Sequence, residues 1–215
     1  MTIECKICGV KTRAAVDAAA DGGAAFIGLN FYPPSPRAVS KEQAAALAAG
    51  KPPGIKTVGL FVDPDNEMLA QVIDMVAFDL LQLHGNEPPK RVAEIRARTG
   101  LPVMKAIKIS TAEDLAVADE YLAVADRLLF DAKPPKSMTN ALPGGNAISF
   151  DWGLLAGRHW DRPWMLAGGL HGGNLAEAVR HSGARAVDVS SGVETEPGVK
   201  DPARIRDFLE AAQSL

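Results

Sequence analysis

Eight short apolar segments alternate with longer helix-forming stretches along this chain, and their regular spacing limits the fold more than any other feature. The segments are 3–8, 25–31, 56–62, 78–84, 102–108, 127–131, 163–167 and 185–190. Their starts lie 22 to 36 residues apart, which leaves room for one strand, one helix and two loops each time. Such alternation predicts parallel strands joined by crossover helices.

The stretches between the strands carry helix signals. Thr12 is placed to cap a helix that closes at Gly22. In 66–76 the apolar residues follow the i, i+3, i+4, i+7 spacing of a helix packed on a core, and 201–212 repeats that pattern. Eight such units predict a (β/α)8 TIM barrel, an α/β fold in which residues 1–215 form a single catalytic domain.

An open, doubly wound sheet is the main alternative. Such a sheet usually begins with a glycine-rich GxGxxG or GxxxxGK[ST] turn, and the sequence contains neither. The sixth unit is the weakest, because a long loop rich in proline, glycine and serine fills 133–146 and only a short helix is expected after it. Long loops in compact domains are more often functional than decorative.

The charge balance and the N-terminal segment narrow the possible partners. The formal net charge is -3 without a basic run, which argues against nucleic acid and against an anionic membrane. No apolar run resembles a signal peptide or a membrane span, so we expect a cytoplasmic protein. Small anionic ligands stay compatible with this charge because they need only local donors.

The two cysteines of the chain stand close together in the stretch CKICG. A disulfide between them would close a tiny loop, and a zinc site would need more ligands nearby, yet the next histidine is His84. Strand alternation puts Cys5 with the apolar, helix-facing residues and Cys8 on the opposite face, toward the barrel mouth. We therefore predict a structural thiol at Cys5 and a candidate functional thiol at Cys8.

The active site of such a barrel lies at the C-terminal ends of its strands. The last two of these ends read LAGGLHGGN and DVSSGVE, so that Gly168-Gly169 and Ser190-Ser191-Gly192 present backbone amides without bulky side chains. Loops after strands seven and eight often form a phosphate cradle in this fold. One glycine pair alone would indicate only a tight turn, but two turns at these two places predict a small phosphorylated substrate.

Cys8 and Asp131 both close apolar strands and together suggest proton transfer, with the thiolate as base and the carboxylic acid as acid. A free cysteine is mostly protonated and a free aspartate mostly ionised at neutral pH, so we expect the site to shift both. Lys6 and Asp188 are both expected to face inward and to shape the electrostatics. Taken without its context, a thiol such as Cys8 is more often a buried structural residue.

Two more polar residues follow strands at the same end of the barrel. Arg37 lies in the proline-stiffened loop NFYPPSPRAVS, and its guanidinium suits a carboxylate or a phosphate, although a lone loop arginine is often only a solvated charge. His84 is either a hydrogen-bonding residue at a strand end or a ligand contact, and the first reading is favoured. No cluster of His, Asp and Glu has metal-ligand spacing, and we expect no metal.

An ordered set of motifs covers the whole chain. They are KICG, FYPPSPR, LQLHG, LLFDA, GGNAISFDW, LAGGL and DVSSGVE. Taken in this order they resemble the phosphoribosylanthranilate isomerase family of tryptophan biosynthesis. The resemblance implies an Amadori rearrangement with the KICG cysteine, Cys8, as general base and Asp131 as general acid. It also implies that Arg37 contacts the anthranilate carboxylate, and it implies neither metal nor cofactor.

One motif departs from the family pattern, since Asn146-Ala147 stands where the loop before FDW often reads Thr-Gly. A pentose-phosphate epimerase would share the phosphate cradle but would want paired acidic residues and metal-binding histidines. A barrel that only binds a phosphorylated metabolite is the non-catalytic alternative, and it would leave the pairing of Cys8 and Asp131 as a coincidence. Barrels of this kind occur as monomers or homodimers, and the sequence does not distinguish the two.

Overall fold

Eight parallel strands close into a barrel in the order in which they occur along the chain. The computed structural model describes residues 2–135, 137–139 and 141–215. The strands are β1 (Glu4–Cys8), β2 (Phe26–Asn30), β3 (Lys56–Phe61), β4 (Leu80–Leu83), β5 (Val103–Ile109), β6 (Arg127–Ala132), β7 (Trp164–Leu166) and β8 (Ala186–Val189). Pairing of β1 with β8, where Lys6 lies opposite Asp188, closes the barrel. The predicted (β/α)8 fold is confirmed, and the open sheet is excluded.

Within the described ranges, six α-helices lie between or after the strands. They are α1 (Arg13–Asp21), α2 (Lys41–Ala49), α3 (Asn66–Ile73), α4 (Pro89–Thr99), α5 (Leu175–Ser182) and α6 (Pro202–Gln213). The Thr12 side chain accepts a hydrogen bond from the Ala15 amide, and Gly22 caps the other end of α1, as predicted. Helix α3 ends at Ile73, three residues before its apolar pattern does, but Val76 is still buried in the core. None of the helices in the described ranges is both long and apolar enough to cross a membrane.

The fifth and sixth units carry 3-10 helices where α-helices would be usual. These are Ala112–Tyr121 and Trp152–Leu155. In the sixth unit, as predicted, a long loop follows β6 and precedes a short helix. Lys136 and Asn140 of that loop lie outside the described residues.

Strand alternation separates two cores. Cys5 and Ile7 of β1 belong to the larger core between the strands and the helices, whereas a smaller core that includes Phe26, Met104 and Met165 fills the barrel. Lys6, next to Cys5 in sequence, is fully buried and pairs across the barrel lining with Asp188 of β8. The predicted division of β1 into a helix-facing and an inward-facing side is thus correct.

A short antiparallel hairpin follows β8 and was not predicted. It consists of β9 (Glu194–Glu196) and β10 (Val199–Lys200). The two strands contain three and two residues and are rich in charge, so they lack the apolar alternation by which strands are recognised. The hairpin matters because it brings Glu194 and Lys200 under the C-terminal end of the barrel.

Candidate active site

A cavity of about 750 Å³, including its open mouth, lies at the end of the barrel where the strands finish. Its lining includes the predicted site residues Cys8, Arg37, His84, Asp131, Asp188, Gly168, Gly169, Ser190 and Ser191. Gly192 lies behind this surface rather than in it. The structure therefore gathers residues from the ends of six strands around one space.

Cys8 ends β1 and opens into this cavity, whereas Cys5 lies in the outer core. Beneath Cys8, the Nζ atom of Lys6 donates to Oδ1 of Asp188 at 2.9 Å, and both side chains are buried. Burial acts to lower the pKa of Lys6, but the negative charges of Asp188 and the Cys8 thiolate outweigh it, so that the pKa is raised. Lys6 therefore stays charged beside the thiol.

The protonation of Cys8 differs from the sequence expectation. Burial raises the pKa of the Cys8 thiol, and the positive charges of Lys6 and Lys200 offset only part of that effect. The expectation that the protein lowers this pKa is not met in this structure. Cys8 is a thiol at neutral pH, and it needs a further positive charge nearby before it becomes a good base.

Asp131 and His84 form a hydrogen-bonded pair in the wall of the cavity. His84 Nε2 lies 3.1 Å from Oδ2 of Asp131, and Oδ1 of Asp131 accepts from the amide of Ala132 at 2.9 Å. On its other side, the His84 ring contacts Gln82, with 2.7 Å between Nε2 of Gln82 and Nδ1 of His84. His84 is the strand-end hydrogen-bonding residue that was favoured from the sequence, and it also faces the cavity.

Arg37 is buried, with 5% of its surface exposed, and its main partner is Glu194. Its Nε and Nη2 atoms each donate to one oxygen of the Glu194 carboxylate at 2.8 Å. Within the part of the chain that the structure describes, Nη1 has no hydrogen-bond partner. We expected two nitrogens of the guanidinium to bind a ligand together. Nε and Nη2 instead bind Glu194, so Nη1 is the nitrogen left for a ligand.

A second cation lies on the other side of Glu194. Lys200 Nζ donates to Oε1 of Glu194 at 2.6 Å and to the carbonyl oxygen of Ser190 at 2.9 Å. Burial lowers the pKa of Lys200 and would raise that of Glu194, but bonds from Arg37 and Lys200 bring the pKa of Glu194 below its usual range. With all three groups charged, the cluster carries one net positive charge beneath the cavity.

The turns after β7 and β8 meet each other at the cavity floor. Gly168 and Gly169 have φ values of 88° and 64°, a region that side chains with a Cβ rarely adopt, and a Cβ at Gly168 would lie 2.8 Å from the Ala132 amide nitrogen. A Cβ at Gly192 would overlap the carbonyl oxygen of Leu170. A residue with a Cβ would therefore clash in either turn, because the glycines pack closely against Ala132 and Leu170.

The loop after β6 covers the cavity from above. A Cβ at Gly144 would lie 2.7 Å from His84 Nε2 and 3.0 Å from Asp131 Oδ2, and one at Gly145 would lie 2.5 Å from Arg37 Nη1. The positive φ of 75° at Gly145 also favours glycine there. The loop that the sequence singled out thus passes close to Asp131, His84 and Arg37.

Three residues of the site were given no role from the sequence. Gln82 and Glu194 stand inside the motifs LQLHG and DVSSGVE, and Lys200 lies outside every motif, but only the fold brings them next to His84, Arg37 and Ser190. The proline-rich loop around Arg37 was the nearest indication, because a stiff loop at this end of a barrel is a sign of function. Among the described residues, no group of three or more His, Cys, Asp and Glu side chains is arranged to hold a metal ion.

Comparison with known proteins gives a consistent result. A model of the family described as N-(5'phosphoribosyl)anthranilate (PRA) isomerase matches residues 5–211. An N-(5'-phosphoribosyl)anthranilate isomerase from Paramagnetospirillum magneticum is 58% identical over 213 residues, which cover 99% of this chain and 98% of that protein.

Solved structures of similar proteins have the same architecture. One is a phosphoribosyl anthranilate isomerase in complex with reduced 1-(o-carboxyphenylamino)-1-deoxyribulose 5-phosphate, with a TM-score of 0.83 and 32% identity, covering 99% of this chain and 100% of that one. Another, from Thermotoga maritima, is described as monomers of a dimeric phosphoribosylanthranilate isomerase, with a TM-score of 0.82, 32% identity and the same coverage.

Proposed function

This chain belongs to the N-(5'-phosphoribosyl)anthranilate isomerase family, and we propose that Cys8 and Asp131 are the base and the acid of the reaction. The protein isomerises N-(5-phosphoribosyl)anthranilate to 1-(2-carboxyphenylamino)-1-deoxyribulose 5-phosphate, an Amadori rearrangement in tryptophan biosynthesis. The observation that carries the assignment is that a thiol and a carboxyl from different strands open into one cavity above a buried, positively charged cluster.

The first step opens the furanose ring. Asp131 donates a proton to the ring oxygen as the bond from that oxygen to C1 breaks, and the nitrogen lone pair forms the C1=N bond of a protonated Schiff base. The ring oxygen becomes a hydroxyl, and Asp131 becomes a carboxylate. A carboxyl in the wall of a buried cavity suits this task, because a proton donor must lie within hydrogen-bond reach of the leaving oxygen.

The second step moves the double bond. Cys8 removes the proton from C2, the electrons of that C–H bond form C1=C2, and the electrons of C1=N return to nitrogen. The enolamine then loses its O2 proton and gains one at C1, which gives the ketone. The substrate's own nitrogen is thus the electron sink.

The raised pKa of Cys8 is compatible with this order of events. The Schiff base that forms in the first step carries a positive charge near the thiol, and an opposite charge within a few ångströms favours the thiolate. Lys6 and Lys200 act in the same direction. Once the ring has opened, the thiol loses its own proton to solvent through the open mouth of the cavity, and the resulting thiolate accepts the proton from C2.

The two charged ends of the substrate have separate places in this proposal. Nη1 of Arg37 receives the anthranilate carboxylate, while the fork of the same guanidinium stays on Glu194. The phosphate binds the backbone amides around Gly168 and Gly169 and those of Ser190, Ser191 and Gly192, in the two turns that border the cavity. His84 and Asp188 complete the substrate-binding surface between these ends.

We expect one catalytic domain over residues 1–215 and a cytoplasmic location for the enzyme. The Thermotoga maritima relative is described as dimeric, and for this chain a monomer or a homodimer is expected.

Conversion of the substrate tests the function. Purified protein is mixed with freshly prepared N-(5-phosphoribosyl)anthranilate, and the loss of anthranilate-type fluorescence is followed with the product identified by mass and by its absorbance. Rapid, protein-dependent conversion is expected. Binding of phosphate or of the reduced product without turnover would instead indicate a barrel that only binds a phosphorylated metabolite.

A further inference from the structure

Gln82 is a fully buried polar residue inside the barrel that does not line the cavity. It lies on β4 and precedes His84, the first residue after that strand, by two positions, so both side chains point to the same side of the barrel wall. Within the described residues, its amide oxygen has no hydrogen-bond partner, whereas its amide nitrogen lies 2.7 Å from His84 Nδ1. The one contact that this polar group makes is thus with the ring that touches Asp131.

The contact between Gln82 and His84 has a direction. In the orientation that the structure gives the Gln82 amide, its nitrogen faces Nδ1 of His84. Because an amide nitrogen can only donate, this orientation requires Nδ1 to accept and to carry no hydrogen. The one hydrogen of the neutral imidazole therefore lies on Nε2, which is 3.1 Å from Oδ2 of Asp131. Gln82 therefore donates a hydrogen bond to His84, and His84 donates one to Asp131.

The hydrogen bond from His84 determines which lone pair of the Asp131 carboxyl can carry the acid proton. Oδ2 receives a hydrogen from His84, and Oδ1 receives one from the amide of Ala132 at 2.9 Å. A carboxyl oxygen that already accepts a hydrogen from His84 cannot direct its own hydrogen along the same line. The acid proton of Asp131 is therefore left to a lone pair that faces the cavity.

We propose that Gln82 is a positioning residue for the general acid, because it fixes the tautomer of His84 and thereby keeps the proton of Asp131 directed at the substrate. The inference rests on the proposed function for the role of Asp131, but the tautomer of His84 does not depend on it. With the opposite tautomer, Nε2 of His84 would accept the acid proton of Asp131. That proton would then point away from the ring oxygen.

The tautomer is measured directly by ¹⁵N NMR of the full chain labelled at histidine, with His84 assigned by its loss in His84→Asn. At neutral pH the wild type is expected to have a protonated Nε2 and an unprotonated Nδ1. Gln82→Met, which has similar volume and no donor, is expected to give a mixture of tautomers. Gln82→Glu supplies an acceptor in place of the donor and is expected to move the hydrogen to Nδ1.

Kinetics test the consequence for catalysis. Gln82→Met is expected to lower kcat about tenfold or more and to leave KM within about twofold, since the acid is misdirected while binding is kept. Thr57→Val is the matched control, because Thr57 is equally buried and its hydroxyl has no partner within the described residues. It is expected to keep both constants and the wild-type NMR signature.

Two results would overturn the proposal. One is a wild-type His84 with its hydrogen on Nδ1, or with both nitrogens protonated, which is decided without any variant. The other is a folded Gln82→Met protein with wild-type tautomer and wild-type kcat. A wild type with the expected tautomer but no isomerase activity would refute the proposed function. It would not contradict the claim that Gln82 fixes the tautomer of His84.

Discussion

Arg37 and Glu194 lie 157 positions apart in the sequence and form a two-point ion pair, with Nε and Nη2 of the guanidinium each 2.8 Å from a carboxylate oxygen. Both side chains are buried, and Lys200 holds the same carboxylate from its far side at 2.6 Å. A buried pair of this kind is weak evidence for stability, because the desolvation of both charges opposes their attraction. Its consequence is geometric, since it turns Nη1 of Arg37 toward the cavity.

Glu194→Gln is expected to raise KM by about tenfold, equivalent to about 1.4 kcal/mol of binding free energy, with a smaller effect on kcat. The neutral amide can accept from only one guanidinium nitrogen, so Arg37 loses its fixed orientation toward the substrate carboxylate. Steady-state kinetics give both constants. Glu196→Gln, at an exposed position of the same short strand, is the matched control. A fall in kcat at unchanged KM would contradict this role for Arg37.

The pH dependence of kcat/KM tests the protonation of Cys8 in the free enzyme. Because burial raises the pKa of this thiol above its ordinary value, the thiolate fraction keeps increasing through the alkaline range, and kcat/KM is expected to rise from about pH 7 through about pH 9 without levelling off there. Lys6 and Lys200 lower the pKa of the thiol and Asp188 raises it. Lys200→Met removes one of the lowering charges, so the rise is expected to move to higher pH.

Lys6→Met is expected to move the rise in the same direction, and more strongly, because Lys6 is the larger of the two lowering influences on Cys8. That variant also leaves Asp188 buried without its partner, so Lys200→Met is the cleaner test. The control is Lys56→Met, an exposed lysine at the start of β3, at the opposite end of the barrel. Profiles that coincide for the wild type and both variants would remove the lysines from the electrostatics of the base.

The loop over the cavity stores backbone strain at Ala147. This residue has a φ of 56°, and Asn146 beside it closes the turn through hydrogen bonds to the backbone of Leu142 at 2.7 and 2.9 Å. The left-handed region costs a residue with a Cβ about 1–2 kcal/mol, and a glycine loses about 0.5–1 kcal/mol more entropy on folding. Ala147→Gly is therefore expected to stabilise the protein by up to about 1 kcal/mol.

Denaturant unfolding measures this change, with Ala141→Gly in the same loop as the control. Ala141 does not have a positive φ, so its replacement is expected to destabilise rather than stabilise. An Ala147→Gly protein less stable than the wild type would refute the assignment of strain. The comparison also bears on the departure from the family pattern, since glycine is the residue often found at that place.

The carboxyl of Asp114 makes the free energy of unfolding depend on pH in the acidic range. Burial would raise the pKa of this carboxyl, but hydrogen bonds from Lys133 and from Ser110 lower it from 3.8 to about 2. A pKa lowered in the folded state contributes stability that is present above about pH 4 and is lost as the pH falls toward about 2. Since Lys133 is half exposed, we expect about 1–2 kcal/mol from this site at neutral pH.

Urea unfolding of Asp114→Asn tests this value. The variant is expected to be less stable than the wild type at pH 7, and the difference is expected to shrink between about pH 4 and about pH 2. Asp119→Asn, at an exposed position of the same 3-10 helix, should match the wild type at both ends of that range. A gap that stays constant with pH would mean that Asp114 acts through packing or hydrogen bonding alone.

The fold could be predicted from the sequence because its signal is local and repeated. Each strand is a short apolar run, and the spacing between runs leaves room for one helix, so eight weak indications support one another. The same alternation placed Cys8 and Lys6 inside the barrel and Cys5 outside it. The hairpin that contains Glu194 and Lys200 is short and charged and lacks an apolar run, so it was not predicted.

The site was only partly predictable for a related reason. Strand ends identify Cys8, His84 and Asp131, since the fold fixes where its strands finish. The partners of these residues come from distant parts of the chain, and nothing near Arg37 indicates that its fork is occupied by Glu194. The direction of the pKa shift at Cys8 depends on burial and on three charged neighbours, which only the structure places around it.

The most direct test of the acid and base assignment is the rate of fluorescence loss with N-(5-phosphoribosyl)anthranilate for Cys8→Ser, Asp131→Asn and the control Cys5→Ser. Cys5 is on the same strand and is equally buried, but it faces the outer core. We expect Cys8→Ser and Asp131→Asn to lose at least about 100-fold in kcat, while Cys5→Ser stays near the wild type. Turnover that survives in both of the first two variants would contradict the assignment and leave only the fold and the family.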